Sequence, residues 1–298
     1  MMTLNEKCTM CPRNCNIDRN EKEGYCHTTY QLLVSRSSLH MWEEPCISGN
    51  RGSGTVFFAG CPLGCIYCQN YNISAADVAK EITVDRLTDI FLELQEKGAH
   101  NINLVTPTHY SIHIKEALII AKNKGLKLPI VYNCSGYEKV NTLKELEGLI
   151  DIYLTDFKYV SSDTAYNYSK ARDYFEVASK ALEEMHRQQP KPVFDEDGMM
   201  KCGIIARHLL LPGHVAETKK VIKYLYKTYG DDIYISIMNQ FTPGRKIDKY
   251  PNLNRSVTER EYNKVIDYAI ELGVENAFIQ EGETCKESFI PEFNLEGV

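Results

Sequence analysis

Gly54-Thr55-Val56-Phe57-Phe58-Ala59-Gly60-Cys61-Pro62-Leu63-Gly64-Cys65-Ile66-Tyr67-Cys68 is the stretch from which the rest of the chain is read. Its first half is apolar, β-branched and aromatic, and ends in glycine. That is the pattern of a buried strand feeding a tight loop. The loop carries Cys61, Cys65 and Cys68 with no fourth cysteine close by. Thiolates at this density, without secretory features, favour a soft metal or an iron–sulfur centre over a disulfide. A cubane held by three thiolates leaves one iron without a protein ligand. Open metal positions signal chemistry, whereas closed ones signal structure. A zinc loop and three incidental thiols are the competing readings.

Working outward, strand-like runs alternate with amphipathic helical patterns. The apolar runs are 101–106, 129–134, 151–158, 202–211, 232–239 and a weaker 276–280. Between them Val84, Leu87, Phe91 and Leu94 recur at helical spacing, as do Val140, Leu143 and Leu146, and then Phe175, Ala178, Leu182 and Met185. A last helix is expected from Ser256, with Glu259 closing a capping box and Tyr262, Val265, Ile266 and Ala269 buried. This alternation predicts a parallel sheet of βα units, short of the eight that close a TIM barrel. Gln188 to Pro192 breaks the fourth helix, and Asp197-Gly198 reads as a tight turn. The insertion is expected to be either a lid near the rim or an inert connection. There is no internal repeat.

The 298 residues suffice for one barrel-sized domain, expected over 51–298, behind a cysteine-rich extension over 1–50. A hydrophobic content of 43% and a charged content of 25% suit an ordinary soluble protein. The net charge of -6 argues against a nucleic-acid or anionic-membrane partner. No apolar run is long enough to span a bilayer, and the first residues lack a signal-peptide core. Eleven cysteines, mostly clustered, suit a reducing cytoplasm.

The strand, the cysteine spacing and Tyr67 just before the last cysteine together resemble the cluster loop of the radical S-adenosylmethionine (radical SAM) superfamily. The resemblance implies an open (β/α)6 partial TIM-like barrel. It implies a 4Fe–4S cluster on Cys61, Cys65 and Cys68, whose unique iron is chelated by the amino and carboxylate groups of SAM. It implies reductive cleavage to a 5′-deoxyadenosyl radical, and an external low-potential electron donor such as flavodoxin or ferredoxin. Asp156-Phe157-Lys158 and the run Arg207 to Gly213 are similar to segments of pyruvate formate-lyase activating enzyme, whose relatives place a radical on a glycyl-radical enzyme. The stretch His40 to Ser74, with Glu43-Glu44-Pro45 and Cys68-Gln69-Asn70, looks like a branch of activating-enzyme-like proteins. There are departures. Thr106-Pro107-Thr108-His109 stands where many members have a Gly-Gly-Glu type segment. Asn133-Cys134-Ser135-Gly136 replaces an Asp-Thr-Asn-Gly segment. Modification of a small molecule or another peptide is the alternative substrate reading, and a non-catalytic iron–sulfur carrier is the remaining one.

Ligands of parallel βα folds bind at the carboxyl ends of the strands. Here those ends supply Thr106, Thr108, Asn133, Ser135, Asp156, Lys158, Arg207 and His208 as candidate SAM contacts, joined by Tyr67. Thr106, Thr108 and Ser135 could equally cap the following helices. Asp156 and Lys158 share a strand face, and buried charge without a partner is costly. Arg207 and His208 are adjacent, so only one faces inward. His109 is either a cap neighbour or a proton carrier.

Cys8, Cys11, Cys15 and Cys26 form a second thiolate set, enough to close a zinc site or hold a second iron–sulfur cluster. The residues between them are too polar to build a core, so a metal would supply the folding energy. Cys134 and Cys202 are expected as small core residues, Cys46 away from both metal sites, Cys285 in a polar tail, and Trp42 packed.

Overall fold

The computed structural model describes residues 7–244, 246–280 and 291–298. Cys285 lies outside the described residues. Strands β1 (Leu32–His40), β2 (Ser53–Phe58), β3 (Lys80–Ile82), β4 (Ile102–Val105), β5 (Ile130–Cys134), β6 (Ile152–Asp156), β7 (Val193–Phe194), β8 (Met200–Leu209), β9 (Tyr234–Met238) and β10 (Ala277–Ile279) build a mixed α/β fold. The sheet runs β10-β9-β8-β6-β5-β4-β2-β1-β3, with β7 paired only to the start of β8. From β2 to β10 every neighbouring pair is parallel. Connecting helices are α1 (Pro45–Ser48), α2 (Tyr71–Ser74), α3 (Val84–Glu96), α4 (Ser111–Asn123), α5 (Val140–Lys144), α6 (Ser162–Ser169), α7 (Tyr174–Gln188), α8 (Val215–Tyr229) and α9 (Glu259–Leu272). Among the described residues, no helix is long and apolar enough to cross a membrane.

Two strands differ from the sequence expectation. β1 and β3 extend the sheet antiparallel beyond β2, with His40 opposite Ser53 and Leu32 opposite Ile82. A division at residue 50 therefore cuts through paired strands, and the segment without regular structure ends at residue 31. Ser35, Arg36, Ser37, Ser38 and His40 make most of β1 polar after Leu32–Val34, which hides it from a period-based reading. The last helix is also capped later than expected. Thr258 accepts from the Glu261 N–H while the Glu261 carboxylate reaches back, so the capping box is Thr258–Glu261. Tyr262, Val265 and Ala269 are buried, and Ile266 only half so.

The core divides by strand face. Tyr132, Tyr153, Ile204 and Ile235 face the buried stripes of α3, α4, α7, α8 and α9 in one continuous cluster. The alternate residues Val131, Ile152, Leu154 and Ile205 meet Cys46, Ile47 and Met200 on the other face. Two residues further along, that same face reads Asn133, Asp156 and Arg207. One sheet face is thus apolar toward the amino ends of the strands and polar toward the carboxyl ends. The hairpin at Asp197-Gly198 leads into the start of β8, at the amino ends. It is no lid over the cysteine loop, which follows the carboxyl end of β2. Cys46 is buried in the small cluster at the amino ends.

Candidate iron–sulfur and cofactor site

The cysteine loop turns out of β2 at Gly60, whose φ of 84° suits glycine. A Cβ there would stand 2.4 Å from the Cys26 carbonyl oxygen and 2.6 Å from a Thr28 methyl. The loop can therefore approach the amino-terminal segment closely only through a glycine. Burial, followed by the neighbouring Cys65 and Cys68, pushes the Cys61 thiol up to about 12. Burial and Cys65 raise Cys68 as well. Thiols so disfavoured as free anions are suited to a group whose positive charge offsets their own.

Cys61, Cys65 and Cys68 open on a cavity of about 240 Å³ that is also lined by Tyr67, Thr106, Asn133, Ser135, Asp156, Lys158 and Arg207. Seven of the nine residues singled out at the strand ends and the loop therefore meet around one space. Thr106 holds a φ of 60°, and its N–H donates to the Asn133 carbonyl at 2.9 Å. A β-branched residue in that region is strained by roughly 1–3 kcal/mol, and such strain collects at functional sites. The Ser135 hydroxyl oxygen is buried without a hydrogen-bond partner. An orphaned polar atom beside a cavity is ready for a ligand's donor or acceptor.

The charges form one network. Arg207 donates from Nη1 to Glu43 at 3.0 Å, from Nε to Asp156 at 3.2 Å and from Nη2 to the side-chain Oδ1 of Asn133 at 2.5 Å. Lys158 donates to the other Asp156 oxygen at 2.6 Å. The Asn103 and Asn133 amides donate to Glu43 Oε1 at 3.0 and 3.1 Å. The side chains of Arg207, Glu43, Asp156 and Lys158 are 14, 10, 18 and 16% exposed, so the pairs are poorly screened. Burial would raise Asp156, but Lys158 and Arg207 outweigh it and hold the carboxyl below its usual range. Burial would lower Lys158, and Asp156 more than reverses that. Burial raises Glu44 against the pull of Arg207.

Cys65 has its own partner. The Ser169 hydroxyl donates to its sulfur at 3.0 Å. Having spent its one proton, Ser169 accepts from Tyr159 at 2.8 Å, which in turn accepts from Tyr67 at 2.7 Å.

Two of the expected contacts lie elsewhere. Thr108 is buried in a turn against the helix layer and donates to Glu138 at 2.8 Å. His208 alternates away from Arg207; its Nδ1 pairs with the Phe157 carbonyl and its Nε2 with Thr218 of α8. Burial lowers His208 to about 4, so it is neutral. His109 is also buried, lowered by burial and Arg19 to about 3, with its Nε2 on the Ala59 carbonyl, which makes it a packing group rather than a proton carrier. Trp42 is 52% exposed at the cavity's edge instead of packed. Cys134 is buried, but Cys202 is half-exposed beside the hairpin, because β7 covers it only in part.

Sequence reading did not place Glu43, Tyr159 or Ser169 in the site. Glu43 left a signal, since Glu43-Glu44 puts two carboxylates immediately before a buried helix. Ser169 left none, because its approach to Cys65 spans more than a hundred residues. In the amino-terminal segment, Cys11 is pushed up to about 12 by burial and then by Cys26, Cys8 and Cys15, each of which lies near it. Among the described residues, no three His, Cys, Asp or Glu side chains already converge as ligands of one metal ion.

A family model described as the radical SAM superfamily matches residues 55–225. An uncharacterised protein of Methanocaldococcus jannaschii is 28% identical over 274 residues, covering 89% of this chain and 74% of that protein. Streptococcus suis SuiB bound to S-adenosylmethionine superposes with a TM-score of 0.50 at 13% identity, over 75% of this chain and 49% of SuiB. SuiB bound to its precursor peptide SuiA gives 0.50 at 13%, over 75% and 47%. The chain thus spans about half the length of SuiB, and at this identity the likeness is one of fold.

Proposed function

The chain belongs to the radical SAM superfamily, and on that premise we propose that its open sheet is the superfamily's partial (β/α)6 barrel, with a 4Fe–4S cluster on Cys61, Cys65 and Cys68 and SAM in the adjoining cavity. The observation that carries this reading is the convergence of three thiols, an orphaned Ser135 hydroxyl and the Glu43–Arg207–Asp156–Lys158 network on one cavity at the carboxyl ends of the strands. A bound, reduced cluster would supply the electron for reductive cleavage of the SAM sulfonium, the chemistry the superfamily uses to generate a hydrogen-abstracting radical. The chain's own groups do the rest. Lys158 and Arg207 offer cationic donors to a carboxylate, while Asp156 and Asn133 offer acceptors to an amine. Ser169 stabilises negative charge on Cys65.

For the substrate we propose a polypeptide. A second cavity of about 420 Å³ shares Tyr67, Cys68, Gln69, Asn70 and Pro291 with the first, leaving an approach to the cluster loop from outside. The similarity of Asp156-Phe157-Lys158 and Arg207–Gly213 to activating-enzyme segments favours a glycyl-radical enzyme as that polypeptide. The second reading, another peptide, is favoured by the fold likeness to SuiB, which has been solved with a precursor peptide. Either requires a low-potential donor of the flavodoxin or ferredoxin class.

The test is anaerobic reconstitution, reduction and addition of SAM. Formation of 5′-deoxyadenosine that vanishes in Cys65→Ala is expected. A fully loaded, reduced cluster that leaves SAM intact overturns the reading. A persistent glycyl-radical EPR doublet on a candidate partner separates the first substrate reading from the second.

A further inference from the structure

Residues 7–31 contain no helix or strand and bury few apolar side chains, chiefly Met10, Cys11 and Cys26. The fold is nonetheless specific. Cys8 donates its N–H to the Ile17 carbonyl at 2.8 Å and accepts from the Asn16 N–H at 2.9 Å, while Asn14 donates to the Cys11 carbonyl at 3.1 Å. Asn14, Asn16 and His27 hold φ values of 45°, 53° and 60°. Arg19 donates to the His109 carbonyl at 2.8 Å, Lys139 to the Thr9 carbonyl at 2.7 Å and Thr142 to the Met10 carbonyl at 2.7 Å, so polar contacts pin the segment's rim, but its cysteine-lined interior has few apolar side chains to hold it. The polar groups in reach of sulfur suit thiolates: the Tyr25 N–H donates to Cys15 Sγ at 3.3 Å, and Thr28 Oγ1 lies 3.2 Å from Cys26 Sγ. A Cβ on Gly24 would stand 3.3 Å from Cys26 Sγ and 3.7 Å from Cys15 Sγ, so two sulfurs flank one bare glycine.

The segment grips the cluster loop at two points. Arg13, between Cys11 and Cys15, donates to the Pro62 carbonyl at 2.8 Å, Leu63 at 2.9 Å, Ser169 at 2.7 Å and Lys170 at 2.6 Å. Cys26 accepts the Cys61 N–H at 3.2 Å. Arg13 thus bridges the cluster loop and the end of α6, where Ser169 serves Cys65.

We propose that Cys8, Cys11, Cys15 and Cys26 take one thiolate-ligated metal centre, zinc or iron–sulfur, and that this centre holds Arg13 and the Cys26 carbonyl against the cluster loop. The metal draws the four sulfurs together, each thiol giving up its proton, and supplies the folding energy the segment lacks. Arg13 is then a positioning residue for the radical SAM cluster. The coupling half of the inference rests on the cluster assigned to Cys61, Cys65 and Cys68. The metal half does not.

The full chain with Cys61→Ala, Cys65→Ala and Cys68→Ala, purified anaerobically, tests the metal half. One equivalent of zinc, or iron with matching sulfide, is expected, and which is found distinguishes the two centres. Its loss on adding Cys8→Ser, Cys11→Ser, Cys15→Ser and Cys26→Ser is also expected. A folded triple variant without metal, or metal surviving all seven changes, overturns it, whatever the outcome with SAM. For the coupling, Arg13→Ala in the otherwise intact chain should keep the amino-terminal metal. It should release the Cys61–Cys68 cluster to chelator roughly tenfold faster, as loss of charged hydrogen bonds implies, and alter the EPR change seen when SAM is added. Arg13→Lys should restore these in part. Wild-type release and an unchanged EPR response in Arg13→Ala overturn the coupling.

Discussion

The two ends of the parallel sheet carry cavities of opposite character. The amino ends hold the larger one, about 680 Å³, lined by Pro45, Arg51, His100, Phe194, Met199 and Tyr234. The carboxyl ends hold the cluster-loop cavity of about 240 Å³, with the cavity of about 420 Å³ beside it on the outer side of the same loop. Yet the smaller space collects the cysteine loop, a strained Thr106, an orphaned hydroxyl and four poorly screened charges. Phe194, Asp197, Gly198 and Met199 of the β7–β8 hairpin wall the larger one. Chemistry follows from chain direction, because every parallel strand delivers its loop to the same end. The comparison teaches that convergence of costly groups, rather than volume, marks the site.

The largest effect that could break this contrast is on catalysis. Cys65→Ala should abolish 5′-deoxyadenosine formation, while Met199→Ala, in the larger cavity, should leave it within about twofold, since it touches none of the costly groups. Equal losses from both would end the contrast. Next, Arg207→Met strips the cation from between Glu43 and Asp156. Removing one partner of a buried ion network costs about 3–5 kcal/mol, so the denaturation midpoint should fall sharply and SAM binding by calorimetry should weaken. A variant as stable as the parent would mean the network is solvated. Ser169→Ala should lower the cluster's midpoint potential by roughly tens of millivolts, because one hydrogen bond to a charged acceptor is worth about 1.5–3 kcal/mol. A redox titration followed by EPR decides this, and an unmoved potential would remove Ser169 from the site.

The smallest effect concerns Glu138, outside the cavity, where Thr108 and Tyr132 donate to its two oxygens. Burial pushes this carboxyl up to about 8. The raised value means that the folded chain keeps a proton the unfolded chain releases. Its contribution is therefore fully present below the ordinary carboxyl range and is lost as pH climbs toward 8. Glu138→Gln should leave the melting temperature at pH 5 nearly unchanged and raise it at pH 9 by about 2–4 °C per kcal/mol recovered. Parallel pH profiles for the two proteins would refute the assignment.

Legibility from sequence followed the range of the interactions. Apolar periodicity identified all six parallel strands that follow β2; burial on both faces makes β4, β5, β6, β8 and β9 apolar runs, while β10, half-exposed at the sheet edge, gave a weaker one. β1, polar over most of its length after Val34, showed no such run, and its sheet position depends on pairing with β2. Seven of nine expected contacts reached the cavity because strand-end position is local information. Thr108 and His208 missed it, since the direction of a side chain one residue past or before another depends on register and on the helix packed behind it.

The sequence alone determined the reactive loop, the parallel βα order and the end of the sheet where chemistry gathers, all of which rest on spacings within a few residues. Only the tertiary structure decided that Glu43 closes the Arg207 network, that Ser169 serves Cys65, and that Arg13 ties the amino-terminal cysteines to the cluster loop. Those contacts join positions 49 to 164 residues apart, and no local pattern encodes which distant groups the packing of strands and helices will bring within a hydrogen bond.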